Sequence, residues 1–263
     1  MISLARRDGR PLRIGHRGAA LLSPENTLAS FRAAIGVGVD LVEFDVFGLR
    51  SGELVVAHSN DLHEVSHGAM AGRVRDCSLD ELRGYCPELP TVAESLEFFA
   101  DEATDVGLHV DLKLRGVAGR IATEVRRFGL VDRTFVSGFY RRELRELRRG
   151  EPGIRTGVTF PRDVFRVHGR RGSGPLEGAG LRVLRGIVPW LVRPLLAGSG
   201  GATALVLHHS VVGPTIVRRA HARGLAVVAW TVDDPADLAR VDEAGVDAVV
   251  SNDPRMFLST LPA

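Results

Sequence analysis

One pattern recurs along this chain: a short apolar run, then a longer segment with helical character. The apolar runs are Leu12–Gly15, Asp40–Val46, Leu108–Leu114, Thr134–Ser137, Ile154–Val158, Ala204–Leu207, Leu225–Trp230 and Ala248–Val250. Helical segments are predicted at Glu25–Ile35, Val117–Phe128, Arg141–Arg149, Gly213–Ala222 and Pro235–Ala244, with glycine stops at Gly36, Gly129, Gly150, Gly224 and Gly245. A strand that reads as an almost unbroken apolar run is buried on both faces, which calls for a parallel sheet covered by helices. Eight such units in 263 residues favour a closed barrel over an open sheet. The predicted fold class is therefore α/β, a (β/α)8 TIM barrel, with residues 1–263 as one domain. Two stretches break the rhythm. Residues 47–105 exceed a single crossover and contain a further strand candidate, Glu53–Ala57, leading to His58; a small insertion after the second strand is expected there. Residues 161–201, interrupted by glycine and proline, form a variable segment.

The polar residues fall in telling places. His16-Arg17, Glu43 with Asp45, Asp111 with Lys113, Ser137, His208, Trp230-Thr231 and Asn252-Asp253 all lie at or near C-terminal ends of predicted strands. In a barrel the loops converge at that rim, and active sites are built there. Glu43 and Asp45 are two residues apart, so on a strand both carboxylates point to one face. Side by side they repel unless a cation or a shared proton neutralises them. His16 and His58 add side chains that exchange protons near neutral pH. A histidine pair beside a carboxylate pair points to metal-assisted acid/base chemistry. Among 34 lysines and arginines there is one lysine, Lys113. Lysine is a compact point charge where arginine is a wide planar fork, so the exception suits a specific task; on a strand Lys113 shares a face with Asp111.

Bulk properties narrow the choice. A net charge of +2 gives no general attraction to nucleic acid. Cys77 and Cys86 provide neither a disulfide framework nor metal-ligand spacing, so reduced thiols and a cytoplasmic location are expected. The first fifteen residues carry five charged side chains and no apolar core of a secretory signal. No apolar run reaches the roughly 18 residues of a membrane span.

The motifs His16-Arg17-Gly18, Pro24-Glu25-Asn26-Thr27, Glu43-Phe44-Asp45-Val46, His58, Leu89-Pro90-Thr91-Val92-Ala93-Glu94, Asp111-Leu112-Lys113, Trp230-Thr231-Val232 and Gly245 to Pro254 resemble, in order and spacing, those of the glycerophosphodiester phosphodiesterase family, within the phosphatidylinositol-phospholipase-C-like barrels. The resemblance implies that Glu43, Asp45 and Asp111 hold a divalent cation, Ca²⁺ or Mg²⁺ given all-oxygen ligands. It implies that His16 and His58 are the acid/base pair, that Arg17 and Lys113 neutralise the phosphate, and that Trp230 walls the pocket. Glu25 is read either as a further ligand or as a helix cap or support for Arg17. His208 and His209 are read as rim residues, and His63, His67, His109, His168 and His221 as surface or structural. Two positions depart from the family pattern. Ser59 stands where an aspartate is usual, with Asp61 as its possible substitute, and Asp111 stands for a glutamate.

The implied activity is hydrolysis of a small-molecule glycerophosphodiester to an alcohol and glycerol 3-phosphate. A second reading keeps the site and changes the substrate to a lysophospholipid or sphingolipid, as in lysophospholipase D or sphingomyelinase-D-like enzymes. Its motive is the segment 181–196, where arginines alternate with Trp190 and leucines, a composition suited to peripheral contact with an anionic membrane. A third reading is a catalytically inactive binding barrel, for which Ser59 and Asp111 are the only support.

Overall fold

Strands form at each of the predicted apolar runs. The structure is a computed structural model and describes residues 2–161 and 201–260. In chain order the strands are β1 (Leu12–Gly15), β2 (Leu41–Gly48), β3 (Leu54–Val56), β4 (Gly107–Leu112), β5 (Thr134–Gly138), β6 (Arg155–Phe160), β7 (Ala204–His208), β8 (Ala226–Trp230) and β9 (Ala248–Ser251). All except β3 pair in parallel, and β1 bonds both β2 and β9, which closes the (β/α)8 barrel. β3 folds back antiparallel on the end of β2, placing Val56 opposite Val46. The variable segment and the candidate membrane stretch 181–196 lie outside the described residues.

Among the described residues the α-helices are α1 (Leu28–Val37), α2 (Leu62–Val65), α3 (Leu79–Tyr85), α4 (Val92–Asp101), α5 (Ala118–Arg127), α6 (Arg141–Gly150), α7 (Pro214–His221) and α8 (Pro235–Glu243). The insertion after β2 thus contains β3, α2 and α3, and α4 returns the chain to β4. Ser78 with Glu81 and Thr91 with Glu94 form capping boxes that fix the starts of α3 and α4. The Leu89 to Glu94 motif is accordingly a helix entry. The first predicted helix is corrected at both ends: it begins after Thr27, whose side chain accepts the Ser30 amide, and it ends at Gly38, with φ 90°. Gly36 lies within the helix, and residues 24–26 are held out of it by the site described below.

Alternation along the strands divides the core. Leu12, Ile14, Leu41, Phe135, Val206, Val228 and Val250 form one buried cluster inside the barrel. Side chains of the opposite parity pack outward against helices. Phe44 shows how this orients the site. Its ring packs outward, 5.6 Å from Phe31 and 6.0 Å from Phe99, and is fully buried. Its neighbours Glu43 and Asp45 must then point inward. The register sets Glu43 opposite His109, Asp45 opposite Asp111, and Asp111 opposite Ser137.

At the opposite end of the barrel, Asp40 accepts from Arg7 and Arg10, each at 2.7 Å, and from the Arg13 amide at 2.8 Å. Burial raises its pKa, but the Arg10 hydrogen bond, the Arg13 amide and the Arg10 and Arg7 charges outweigh it and hold the carboxyl below its ordinary 3.8. A carboxyl depressed by folding stabilises the protein above its unfolded pKa, and that contribution is lost as pH falls through the folded value. Asp40→Asn is expected to cost about 2 kcal/mol at pH 7 and to flatten the loss of stability below about pH 4. Urea titrations at pH 7 and pH 3 check this; equal destabilisation at both would refute the linkage.

Candidate active site

The site lies where β1, β2 and β4 end. His16 follows β1, and its Nδ1 is 2.6 Å from Oδ1 of Asn252, the residue after β9. Its Nε2 is 4.0 Å from Glu43 Oε2. Burial, and after it the Arg17 charge, push the imidazole down to about 3, so it is neutral at pH 7. Arg17 adopts the left-handed conformation, φ 51°. Its amide donates to Glu43 Oε2 at 2.8 Å, and its guanidinium meets both oxygens of Glu25 at 2.8 and 2.7 Å and Asp45 at 3.2 Å. The turn requires glycine next: a Cβ on Gly18 (φ 86°) would lie 2.4 Å from Ser30 Oγ. That hydroxyl donates to the Arg17 carbonyl and accepts the Ala19 amide, fastening the loop to α1.

Three residues of the Pro24 to Thr27 motif serve this arrangement. Glu25 pairs with Arg17 through both carboxylate oxygens. Asn26, also left-handed at φ 59°, donates to Asp45 Oδ2 at 3.0 Å and accepts the Asp45 amide at 3.2 Å. Thr27 caps α1. Asn26 was missed as a site residue, although its place beside Glu25 in the motif was a signal.

Glu43, Asp45 and Asp111 are buried, and one oxygen from each lies within 4.8 Å of the others. Lys113 Nζ sits 2.7 Å from Asp45 Oδ1 and 2.5 Å from Asp111 Oδ2, so the chain's one lysine is half-buried against the cluster. Burial and the neighbouring Asp45 raise the Glu43 pKa well above its ordinary value. Burial would also raise Asp45, but Lys113 and Arg17 hold it well below. Lys113 itself is disfavoured by burial, yet Asp111, Asp45 and Glu43 raise its pKa above the ordinary value. Counting Glu25, four carboxylates share two cations, leaving a formal excess of two negative charges if all are ionised. Asp45 Oδ1 is buried and has no hydrogen bond among the described residues, facing only the lysine charge. A hard divalent cation fits this all-oxygen donor set and its excess of negative charge.

Asp111 is held from below. Ser137 Oγ donates to its Oδ1, and His109 Nε2 is 2.9 Å from the same hydroxyl. His109 therefore belongs inside the barrel, 2% exposed, beneath the carboxylates. It is structural in a more specific sense than the sequence suggested. Burial pushes it down to about 4 and keeps it neutral.

His58 follows β3, at the end where Ala57 bonds back to the Asp45 carbonyl. Its Nδ1 is 3.1 Å from Glu64 Oε1. Asp61, one alternative for the aspartate that Ser59 replaces, accepts from the His63 amide and caps α2. Burial lowers the His58 pKa, Asp45 opposes this, and Arg17 adds to it. Trp230 and His208 end neighbouring strands with rings 5.3 Å apart, edge to face. His208 Nδ1 is 2.7 Å from Ser210 Oγ, whereas His209 pairs with Asp237 on α8 at 3.1 Å.

Fold and rim define a (β/α)8 barrel with a cluster of carboxylates that holds two cations and has two histidines near it. Comparison with known proteins identifies its kin. The model of the glycerophosphoryl diester phosphodiesterase family matches residues 16–149 and 187–256. A glycerophosphodiester phosphodiesterase of Caldanaerobacter subterraneus is 24% identical, over 95% of this chain and 97% of the relative. Glycerophosphodiester phosphodiesterase 1 of Mus musculus is 26% identical over 84% and 71%. Among solved structures, an Oleispira antarctica phosphodiesterase in complex with the product sn-glycerol-3-phosphate superposes with TM-score 0.71 at 23% identity, covering 95% of this chain and 96% of that one. A glycerophosphodiester phosphodiesterase from Parabacteroides distasonis matches equally, with TM-score 0.71, 23% identity and the same coverage. The chain belongs to the glycerophosphoryl diester phosphodiesterase family, and so to the phosphoric diester hydrolases.

Proposed function

We propose that the protein hydrolyses glycerophosphodiesters to an alcohol and glycerol 3-phosphate, with His16 and His58 as the acid/base pair and Glu43, Asp45 and Asp111 as ligands of Ca²⁺ or Mg²⁺. One observation carries this reading: a buried triad of carboxylates with two fixed cations, flanked by His16, at the rim of the barrel. When bound, the cation supplies Lewis-acid stabilisation of charge on the phosphoryl oxygens. Arg17 and Lys113 add their positive charges beside the same group, as a fork and as a point charge. One histidine removes a proton from the attacking hydroxyl or water, and the other returns a proton to the departing alkoxide. An entering phosphodiester brings negative charge next to His16 and raises its proton affinity, offsetting the depression by burial and Arg17. Trp230 offers its ring to the head group.

We read residues 1–263 as one catalytic barrel domain. The half-buried free thiols Cys77 and Cys86 suit a reducing compartment, so the cytoplasm is the proposed location. No helix among the described residues is long and apolar enough to cross a membrane.

The test is release of glycerol 3-phosphate from glycerophosphocholine and glycerophosphoethanolamine after EDTA treatment, then with Ca²⁺ or Mg²⁺ restored. Release that requires the added cation is expected. Release unaffected by EDTA would refute the metal requirement. No release under any condition, with lysophospholipids cleaved instead, would move the substrate to lipid phosphodiesters.

A further inference from the structure

Asp233 lies three residues beyond β8, outside every group assigned above, yet three hydrogen bonds converge on it. The Asn252 backbone nitrogen donates to its Oδ1 at 2.8 Å, the Ser251 hydroxyl donates to the same oxygen at 3.1 Å, and the Asn252 side-chain nitrogen donates to its Oδ2 at 2.6 Å. A carboxylate only accepts, so the group Asn252 turns toward Asp233 must be its NH2. Its carbonyl oxygen then faces His16 Nδ1 at 2.6 Å. An oxygen at that distance demands a donor, so in neutral His16 the proton resides on Nδ1. The basic lone pair is left on Nε2, the nitrogen directed toward the carboxylate cluster.

We propose that Asp233 is a positioning residue that acts through Asn252 to fix the Nδ1–H tautomer of His16, making His16 the proton acceptor of the reaction; the catalytic part of this inference rests on the reading of His16 given above. His58 is then the proton donor: burial lowers its proton affinity, and the Asp45 charge and the Glu64 carboxylate at its Nδ1 work against that loss. The proton balance is simple. Nε2 of His16 takes the proton of the attacking O–H as the new P–O bond forms, and His58 gives its proton to the leaving oxygen as the old P–O bond breaks.

Asp233→Asn is the informative variant. An asparagine at 233 can accept the Asn252 and Ser251 donors and present its own NH2 to the Asn252 side chain. Asn252 then turns its NH2 toward His16, which favours the wrong tautomer. The expected kinetic result is a fall in kcat of about 10- to 100-fold, the scale of losing a hydrogen-bonded support of an imidazole, with KM within about two-fold. Ring ¹⁵N spectra should show the His16 signal, assigned by its absence in His16→Gln, changing from Nδ1–H toward Nε2–H. Exchanging the two residues, Asp233→Asn with Asn252→Asp, restores an acceptor at Nδ1 and should recover most of the lost kcat.

An Asp233→Asn protein that keeps wild-type kcat, or whose His16 tautomer is unchanged, overturns the proposal. So does an exchange variant no faster than Asp233→Asn. If His16 itself proves dispensable for turnover, the catalytic reading fails, while the spectra still decide whether Asp233 sets the tautomer.

Discussion

Replacing His16 by alanine is expected to lower kcat by roughly 100- to 10,000-fold, the range over which positioned proton transfer acts. The fold should survive the change. The His16 side chain contributes one hydrogen bond, to Asn252, and Asn252 stays anchored by Asp233, so the stability loss should not exceed about 1 kcal/mol. His58→Ala should behave alike: its recorded hydrogen bond is to Glu64, itself partly exposed. Steady-state rates with glycerophosphocholine, set beside thermal melts, make the check. The decisive pattern is intact melting with turnover lost in both variants. Near wild-type turnover in either would remove that histidine from the mechanism.

The barrel was legible because its strands are buried on both faces and so spell apolar runs that period-two patterning does not interrupt. Sequence reasoning misplaced α1 where side-chain contacts outside the helix overrode helical periodicity. Glu25 and Asn26 are good enough neighbours for a helix, but one is spent on Arg17 and the other on Asp45, so the helix waits for Thr27. The insertion helices α2 and α3 were missed because they are short, whereas α4 runs ten residues; Ser78-x-x-Glu81 and Thr91-x-x-Glu94 were the signals that announced α3 and α4.

Within the site, period two was enough to put Glu43 with Asp45 and Asp111 with Lys113, since each pair shares a strand. What strand patterning does not carry is inter-strand register. His109 meets Ser137, and Asn252 meets His16, only because β4, β5, β9 and β1 align as they do. Glu64 reaches His58 because α2 turns back toward the end of β3, which no spacing rule foretold.

Glu43→Gln should separate stability from function. Glu43 is 3% exposed and shares its pocket with Asp45 and Asp111, whose charges oppose its own. Without a bound cation its negative charge is a liability, because burial and like-charge repulsion both act against it. Glutamine keeps the size and retains an oxygen for the Arg17 amide, now 2.8 Å from Oε2, so the loop after β1 has no reason to move. In EDTA the variant is expected to melt about 2–4 °C higher, the equivalent of roughly 1 kcal/mol at this size. Its affinity for Ca²⁺ or Mg²⁺ should fall about 100-fold or more, since removing a ligand exceeds the cost of removing a ligand's support, and turnover should fall with it. Calorimetric titration of each cation into metal-free protein reads the affinity directly, and thermal melts in EDTA read the stability. Cation binding at wild-type strength would exclude Glu43 as a ligand. A lower melting temperature in EDTA would mean that the Glu43 carboxylate is held by favourable contacts stronger than the repulsion from Asp45 and Asp111, and the three carboxylates would then be a structural network in their own right.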